Sequence, residues 1–271
     1  MAAQGQTVYS AAGDSGAYDG GGDTKLKVDD PASQPFVSGK IWHFVFSRLF
    51  HFKLTTHVIE KNPENDGYFL GVGGTTLQLN STYGYINETT WLTKKTKKGT
   101  EGGGGGISDF HPIPSYQVGH ITPPSLGSAT KRNVPDIASN ADPETGFLVV
   151  VDGKFFRCCS LWRRRNCFEL TQNDQPDELF QYGGTSCGAP IWAGFTALVN
   201  QARAAKGKRT LGFANPVFYL IGGNATNYKS GFHDIKDNST NGYYPAVPGY
   251  DLATGWGTMI GDSLLSLLAS S

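Results

Sequence analysis

The sequence predicts an α/β domain with a mostly parallel central sheet and flanking helices. Three short apolar runs, at 7–12, 68–73 and 148–151, each lead into a turn that contains glycine. Such uninterrupted runs are typical of strands that are covered on both faces. Helical patterns follow at 189–206 and 262–268. Strands that alternate with helices favour a parallel sheet.

Each of the three predicted strands ends in a loop or turn that contains glycine. Run 7–12 ends at Gly13-Asp14-Ser15-Gly16 and therefore delivers a carboxylate into a loop. Run 68–73 is followed by Gly-Thr-Thr-Leu at 74–77, and run 148–151 is followed by a turn, Asp-Gly, at 152–153.

The clearest helix spans 189–206. It has Pro190 in its first turn and basic residues near its end, and its apolar face is formed by Ile191, Phe195, Leu198 and Val199. A short closing helix is predicted at 262–268.

Composition excludes several classes of function. The chain has 271 residues with 23 basic and 23 acidic side chains, so broad electrostatic binding to nucleic acid or to an anionic membrane is not expected. No uncharged apolar run reaches the roughly 18 residues that span a bilayer, and residues 1–10 lack the layout of a signal peptide. Four cysteines, with no C-x-x-C pair, indicate neither a disulfide framework nor a zinc site.

Two segments differ in composition from the rest of the domain. Segment 38–69 mixes aromatic, histidine and basic residues without a steady period, and segment 155–180 holds three of the four cysteines and a run of three arginines. We therefore expect one domain over 1–271 with insertions at 38–69 and 155–180.

Ser186 is the candidate nucleophile. It lies in Gly183-Gly184-Thr185-Ser186, where glycines allow a sharp turn and the close approach of a substrate. The start of the following helix offers unpaired N–H groups and a positive dipole end, at which an oxyanion is stabilised. The competing interpretation is a serine that only caps the helix.

A serine nucleophile needs a base, and the sequence leaves two possibilities open. Asp14, a histidine at 43, 51 or 57, and Ser186 would follow the Asp-His-Ser order of subtilisins. Alternatively, a carboxylate replaces the histidine as base; Asp14, at its strand end, is placed to be buried and, when protonated, would donate a hydrogen bond to an oxyanion, as neutral acids do in other enzymes. A plain loop aspartate that caps its own turn is the alternative to this role.

Six motifs in register resemble the sedolisins, the serine-carboxyl peptidases. They are A-A-G-D-S-G-A-Y-D-G at 11–20, G-V-G-G-T at 71–75, V-P-D-I-A at 134–138, G-G-T-S at 183–186, P-G-Y-D at 248–251 and A-T-G-W-G-T at 253–258. The resemblance implies a subtilisin-like fold and hydrolysis of peptide bonds at acid pH. It implies Ser186 as nucleophile and Asp14 as the acid that stabilises the oxyanion, so that a protonated Asp14 would explain an acid optimum.

One part of the family pattern has no counterpart here. Sedolisins activate the serine with a glutamate held by an aspartate, on a helix upstream of G-D-S-G, whereas residues 1–6 contain no acid. We expect an N-terminally truncated, C-terminal part of the catalytic domain that is weak or inactive alone. The alternatives are a histidine-dependent, subtilisin-like hydrolase and a non-catalytic, calcium-bound interaction module.

The resemblance also implies one structural calcium ion. Asp234 and Asp251 would supply carboxylates, and Ile235, Gly249 and, less securely matched, Val247 would supply carbonyls. These are the oxygen ligands that calcium prefers.

The expected partners are a peptide or protein substrate and a propeptide encoded upstream. The family resemblance suggests a secreted protein or one in an acidic compartment such as the lysosome. Four N-x-S/T sequons, against about two expected by chance (14 × 42/271), are a slight hint of a secretory route. They begin at Asn80, Asn87, Asn224 and Asn238.

Overall fold

A four-stranded sheet forms the centre of the protein. The structure is a computed structural model that describes residues 5–19, 25–29, 32–33, 41–43, 55–57, 69–93, 100–148 and 181–271. The long strand β4 (Phe69–Leu79) lies in the middle of the sheet and pairs in parallel with β1 (Val8–Ala11) and β8 (Ile137–Asn140). Beyond Thr75 it turns back as an antiparallel hairpin with β5 (Tyr85–Thr90).

The remaining strands form two-stranded antiparallel pairs. The pairs are β2 (Ile41–His43) with β3 (Thr55–His57), β6 (Gly106–Pro112) with β7 (Lys131–Val134), β9 (Phe147–Leu148) with β10 (Gln181–Tyr182), and β11 (Phe232–His233) with β12 (Thr258–Met259). The described helices are α1 (Thr185–Ala205), α2 (Asn215–Gly222), α3 (Ala225–Gly231) and α4 (Gly261–Ser270).

The α/β architecture is confirmed in outline, with three differences from the expected elements. Strand β9 pairs antiparallel with β10, so Leu148, the one described residue of the run at 148–151, lies outside the parallel sheet. Strand β8 was not anticipated, because its four buried residues are too few to show a period. Helix α1 begins at Thr185, four residues earlier than expected, so Pro190 lies in its second turn.

Helix α1 packs directly on the parallel strands. The Trp192 Nε1–H donates to the carbonyl of Ala138 on β8 at 3.0 Å, and the hydroxyls of Tyr9 and Thr196 lie 2.5 Å apart. At Gly188 an added Cβ would lie 2.9 Å from the Ser139 Cβ, closer than real Cβ contacts. The close approach of helix and sheet therefore requires glycine at this position.

A buried ion pair joins β7 to the turn that precedes β8. Arg132 and Asp136 are both fully buried, and the guanidinium donates to both carboxylate oxygens, at 2.7 and 2.5 Å. The Gly71 N–H and the Tyr219 hydroxyl also donate to Asp136, each at 2.8 Å. The aspartate of the V-P-D-I-A motif is thus a structural residue that ties β4 and α2 together.

The expected insertions fall largely outside the described residues. Within 38–69 the structure describes the β2–β3 pair and Phe69, and it describes none of 155–180. Among the described residues, none of the helices is both long enough and apolar enough to cross a bilayer.

Candidate active site

The fold brings Asp14 and the start of α1 into direct contact. Asp14 follows β1 at the carboxyl edge of the parallel strands, and α1 begins at the same edge with Gly184 as its N-cap. The Thr185 N–H donates to Asp14 Oδ1 at 2.7 Å. Ser186 is the next residue in the chain, so the two candidate catalytic residues lie on the same side of the molecule.

Thr185 is the residue that joins the two segments. Its buried hydroxyl lies 2.9 Å from Asp14 Oδ1 and 3.0 Å from the Gly13 carbonyl, and it accepts a bond from the Gly13 N–H at 3.2 Å. One threonine side chain therefore fixes the position of the G-D-S-G loop relative to the helix.

The Gly184 backbone allows the carboxylate to sit this close. Gly184 has a φ of +97°, and an added Cβ would lie 2.8 Å from Asp14 Oδ2. A side chain at position 184 would be strained and would push against the carboxylate. The second glycine of G-G-T-S thus makes room for Asp14.

Asp14 differs from the expectation in one respect, because it is exposed rather than buried. The buried acid of this loop is Asp19, whose Oδ2 accepts the Ser15 N–H at 3.2 Å. An added Cβ at Gly13 would lie 1.6 Å from the same oxygen, so the Asp19 carboxylate occupies the space beside the loop. Burial, with smaller contributions from the nearby Asp29 and Asp14 carboxylates, raises the pKa of Asp19 to about 6 although the Ser15 hydrogen bonds oppose the shift.

Ser186 is exposed at the edge of the sheet. Because it is the second residue of α1, its N–H lies among the first-turn donors that have no partner within the helix. Pro190 has no N–H, so the Ser186 carbonyl receives no bond from residue 190. Within the part of the chain that the structure describes, no carboxylate or imidazole is hydrogen-bonded to the Ser186 hydroxyl.

The side chains of the three candidate histidines lie outside the described part of the chain. His51 lies outside the described residues, and only the backbone of His43 and His57 is described, in β2 and β3. His120 packs against Tyr219 and Trp256, and His233 stacks on an aromatic ring of the β4–β5 hairpin. Burial lowers the pKa of both His120 and His233.

The predicted calcium residues lie in one connected loop region. Asp234 Oδ1 accepts the Tyr228 hydroxyl at 2.7 Å and the Gly249 N–H at 3.1 Å. Asp234 Oδ2 lies 3.5 Å from the exposed Lys236 ammonium. Gly249 has a φ of +85°, a backbone conformation that favours glycine.

Asp251 is the buried acid of this region. Its Oδ2 accepts the Val247 N–H at 3.0 Å, and its Oδ1 accepts the N–H groups of Ala253 and Thr254 at 2.9 and 2.8 Å. Burial raises the pKa of Asp251 to about 7 despite these bonds. The Ile235 side chain packs with Ala253 in a small apolar cluster, which leaves only its backbone to face a ligand.

The chemistry of these donors suits a hard cation. Among the described residues, no group of three or more His, Cys, Asp or Glu side chains comes together. A calcium ion held by Asp234 and Asp251 would therefore take its other ligands from backbone carbonyls and water. A cation would also stabilise the ionised form of a buried acid such as Asp251.

Two residues of the site were missed by reasoning from sequence. Thr185 was noted only as part of a motif, although a hydroxyl between a glycine and the serine could have been expected to bond back to the preceding loop. Asp19 lies in the quoted 11–20 motif, yet its burial depends on how the loop folds back and has no signal in the sequence.

Comparison with known proteins gives a consistent set of relatives. The chain is 34% identical over 280 aligned positions to kumamolisin from Bacillus sp. (strain MN-32), and the match covers 100% of this chain and 38% of that protein. It is 30% identical to sedolisin from Pseudomonas sp. (strain 101), covering 95% of this chain and 34% of that protein. It is 28% identical to human tripeptidyl-peptidase 1, covering 98% and 38% respectively.

A solved structure shows the same fold. The chain superposes on Pseudomonas sedolisin, a serine-carboxyl proteinase complexed with two molecules of pseudo-iodotyrostatin, with a TM-score of 0.67 and 28% identity. The match covers 100% of this chain and 57% of that one. The chain thus spans less than two fifths of the length of these curated relatives, and no family-level sequence profile matches it.

Proposed function

The chain is homologous to the sedolisin-family serine-carboxyl peptidases, and from this premise we propose that it is part of a peptidase catalytic domain that hydrolyses peptide bonds at acid pH. The observation that carries the proposal is the direct bond between the Thr185 N–H and Asp14, which puts an acid beside the residue that precedes Ser186. The substrate class is peptides and proteins.

Each residue of the site has a distinct role in this proposal. The Ser186 oxygen attacks the carbonyl carbon of the peptide, and its proton passes to a base that is not assigned among the described residues. Negative charge then develops on the carbonyl oxygen. A protonated Asp14 donates a hydrogen bond to that oxygen, while Thr185 and Gly184 hold the carboxyl group in place.

In this proposal, the charge state of Asp14 makes the activity depend on acid. When Asp14 is ionised, it presents an anion to the developing oxyanion and opposes the reaction. When it is protonated, it becomes a donor at the position where charge develops. The start of α1 favours negative charge at the same point.

The test is cleavage of an acid-denatured protein across about pH 3 to 5, the range over which ordinary carboxyl groups change from mostly protonated to mostly ionised, with products identified by mass spectrometry. We expect Ser186→Ala and Asp14→Ala to abolish cleavage by the full-length protein, while Ser15→Ala, which changes the same loop, retains most of it. Equal cleavage by wild type and Ser186→Ala would refute the proposed nucleophile. Rapid cleavage by the 271-residue chain itself would refute the expectation that it is weak alone.

We also propose that Asp234 and Asp251 hold one structural calcium ion, with carbonyls of Ile235, Gly249 and Val247 completing the site. What supports this is the buried Asp251 carboxylate and the hydrogen bond that joins Asp234 to Gly249, two residues before Asp251. Calcium should raise the melting temperature of the wild-type chain, and Asp234→Ala should remove that dependence. Asp237→Ala, an exposed acid nearby, serves as control; equal calcium shifts in wild type and Asp234→Ala would contradict the site.

A further inference from the structure

Four asparagines share a motif that occurs more often than composition predicts. Asn80, Asn87, Asn224 and Asn238 each begin an Asn-x-Thr sequence, and the third residue is threonine every time. With 14 asparagines and 23 threonines in 271 residues, about one such sequence is expected by chance (14 × 23/271). Asn-x-Thr with any middle residue except proline is the acceptor sequence for N-linked glycosylation.

Exposure separates these four asparagines from all the others that the structure describes. The structure describes ten asparagines, and only the four in Asn-x-Thr sequences are exposed. The other six are Asn133, Asn140, Asn215 and Asn241, which are buried, and Asn200 and Asn227, which are half-buried. Four asparagines can be chosen from ten in 210 ways. If exposure were independent of sequence, the four exposed asparagines would therefore be the four Asn-x-Thr asparagines with a probability of 1 in 210.

At two of the sites, the threonine of the Asn-x-Thr sequence donates a hydrogen bond to the side chain of the asparagine. Asn80 Oδ1 accepts the Thr82 hydroxyl at 2.8 Å and the Thr82 N–H at 3.0 Å. Asn224 Oδ1 accepts the Thr226 N–H at 3.1 Å at the start of α3. These bonds use the side-chain oxygen and not the amide nitrogen, which is the atom that carries a glycan.

The surface around two of the sites is unusually apolar. On the β4–β5 hairpin, the flanking residues Leu79, Tyr83 and Ile86 are 44%, 86% and 58% exposed. Asn80 and Asn87 lie among them. Exposed apolar patches promote association, and a bulky, hydrophilic oligosaccharide would cover this one.

We propose that Asn80, Asn87, Asn224 and Asn238 are N-glycosylated, so that the protein passes through a secretory compartment. The donor class is an oligosaccharide linked to a lipid diphosphate. A bond forms between the asparagine Nδ2 and the anomeric carbon, the bond from that carbon to the diphosphate carrier breaks, and one Nδ2 proton is released. This proposal does not depend on the peptidase function.

The direct test uses protein isolated from its native cells. Digestion with peptide N-glycosidase F in heavy-oxygen water converts each glycosylated asparagine to a labelled aspartate, which peptide mass spectrometry locates. We expect label at all four positions and none at Asn227. An unlabelled position among the four removes that site, and no label at any of them overturns the proposal.

Variants test the sites separately in the full chain, secreted from yeast behind a cleavable signal. Partial digestion should give a ladder of four mobility steps, from which each Asn→Gln substitution removes one. Thr82→Ser should keep the Asn80 step and Thr82→Ala should remove it, whereas Asn227→Gln should change nothing. Because the sugar is transferred before folding ends, protein retained in the cell is analysed with the secreted pool; an unchanged mobility in both pools overturns the proposal.

Discussion

Removing the buried Arg132 guanidinium should destabilise the fold strongly. Arg132→Met retains much of the side-chain volume but leaves the Asp136 carboxylate buried without its cation. The Asp136 bonds from Gly71 and Tyr219 persist and compensate only in part. Breaking a buried ion pair by removing one partner costs about 3–5 kcal/mol. For a chain of this size, that cost lowers the melting temperature by about 6 to 20 °C.

The structure gives a physical reason for this large effect. Burial alone lowers the pKa of Arg132, but the Asp136 carboxylate holds that pKa well above its ordinary value. The guanidinium therefore remains charged, and its salt-bridge partner among the described residues is Asp136. The two side chains act as one unit, so the charge left by a single substitution dominates the result.

Urea unfolding followed by circular dichroism measures the effect without requiring activity. The matched control is Lys131→Met, since the Lys131 ammonium is exposed and bonds only the Asp109 carbonyl among the described residues. We expect the control to change the unfolding free energy by about 0.5 kcal/mol or less. Arg132→Met combined with Asp136→Asn should recover part of the loss, because the lone charge is gone. An Arg132→Met effect no larger than that of the control would refute the reasoning.

Two further substitutions test the loop that holds Asp14. Thr185→Val removes the hydroxyl that bonds Asp14 and Gly13, and should cost about 1–3 kcal/mol in urea unfolding, since it leaves buried polar groups without a partner. Thr185→Ser should retain most of the stability, and a Val variant as stable as the Ser variant would contradict the bridging role. Asp19→Asn should reduce the pH dependence of stability. Because the pKa of Asp19 rises from 3.8 to about 6 on folding, its contribution is complete below about pH 4 and is lost as the pH rises through about 6. The loss amounts to about 3 kcal/mol, and parallel stability–pH curves for wild type and Asp19→Asn would show that Asp19 is not the source.

A second buried acid, Glu88, contributes to the pH dependence of stability with the same sign as Asp19. Glu88 on β5 accepts hydrogen bonds from the hydroxyls of Thr75 and Thr258, and burial raises its pKa. A buried acid whose pKa is raised favours the folded state at low pH, where it carries a proton. Both acids therefore favour folding under the acid conditions that the proposed function requires.

The sequence by itself was sufficient for the main elements and for the family. The apolar runs at 7–12 and 68–73 and the helical pattern around Phe195 were recognisable because strand and helix periods are local properties. Six motifs in register were enough to identify the relatives, since together they span most of the chain. The start of α1 was placed four residues late because Gly184, rather than a polar side chain, is its N-cap.

Burial and contact at the site were decided only by the tertiary structure. Asp14 and Asp19 lie five residues apart in one motif, yet one is exposed and the other buried, and nothing local distinguishes them. The Thr185 bonds to Gly13 and Asp14 join residues more than 170 positions apart. Such contacts depend on how α1 packs against β1 and β4. Burial follows from that packing of distant segments, so the loop sequence alone does not specify which of the two acids is buried and which is exposed.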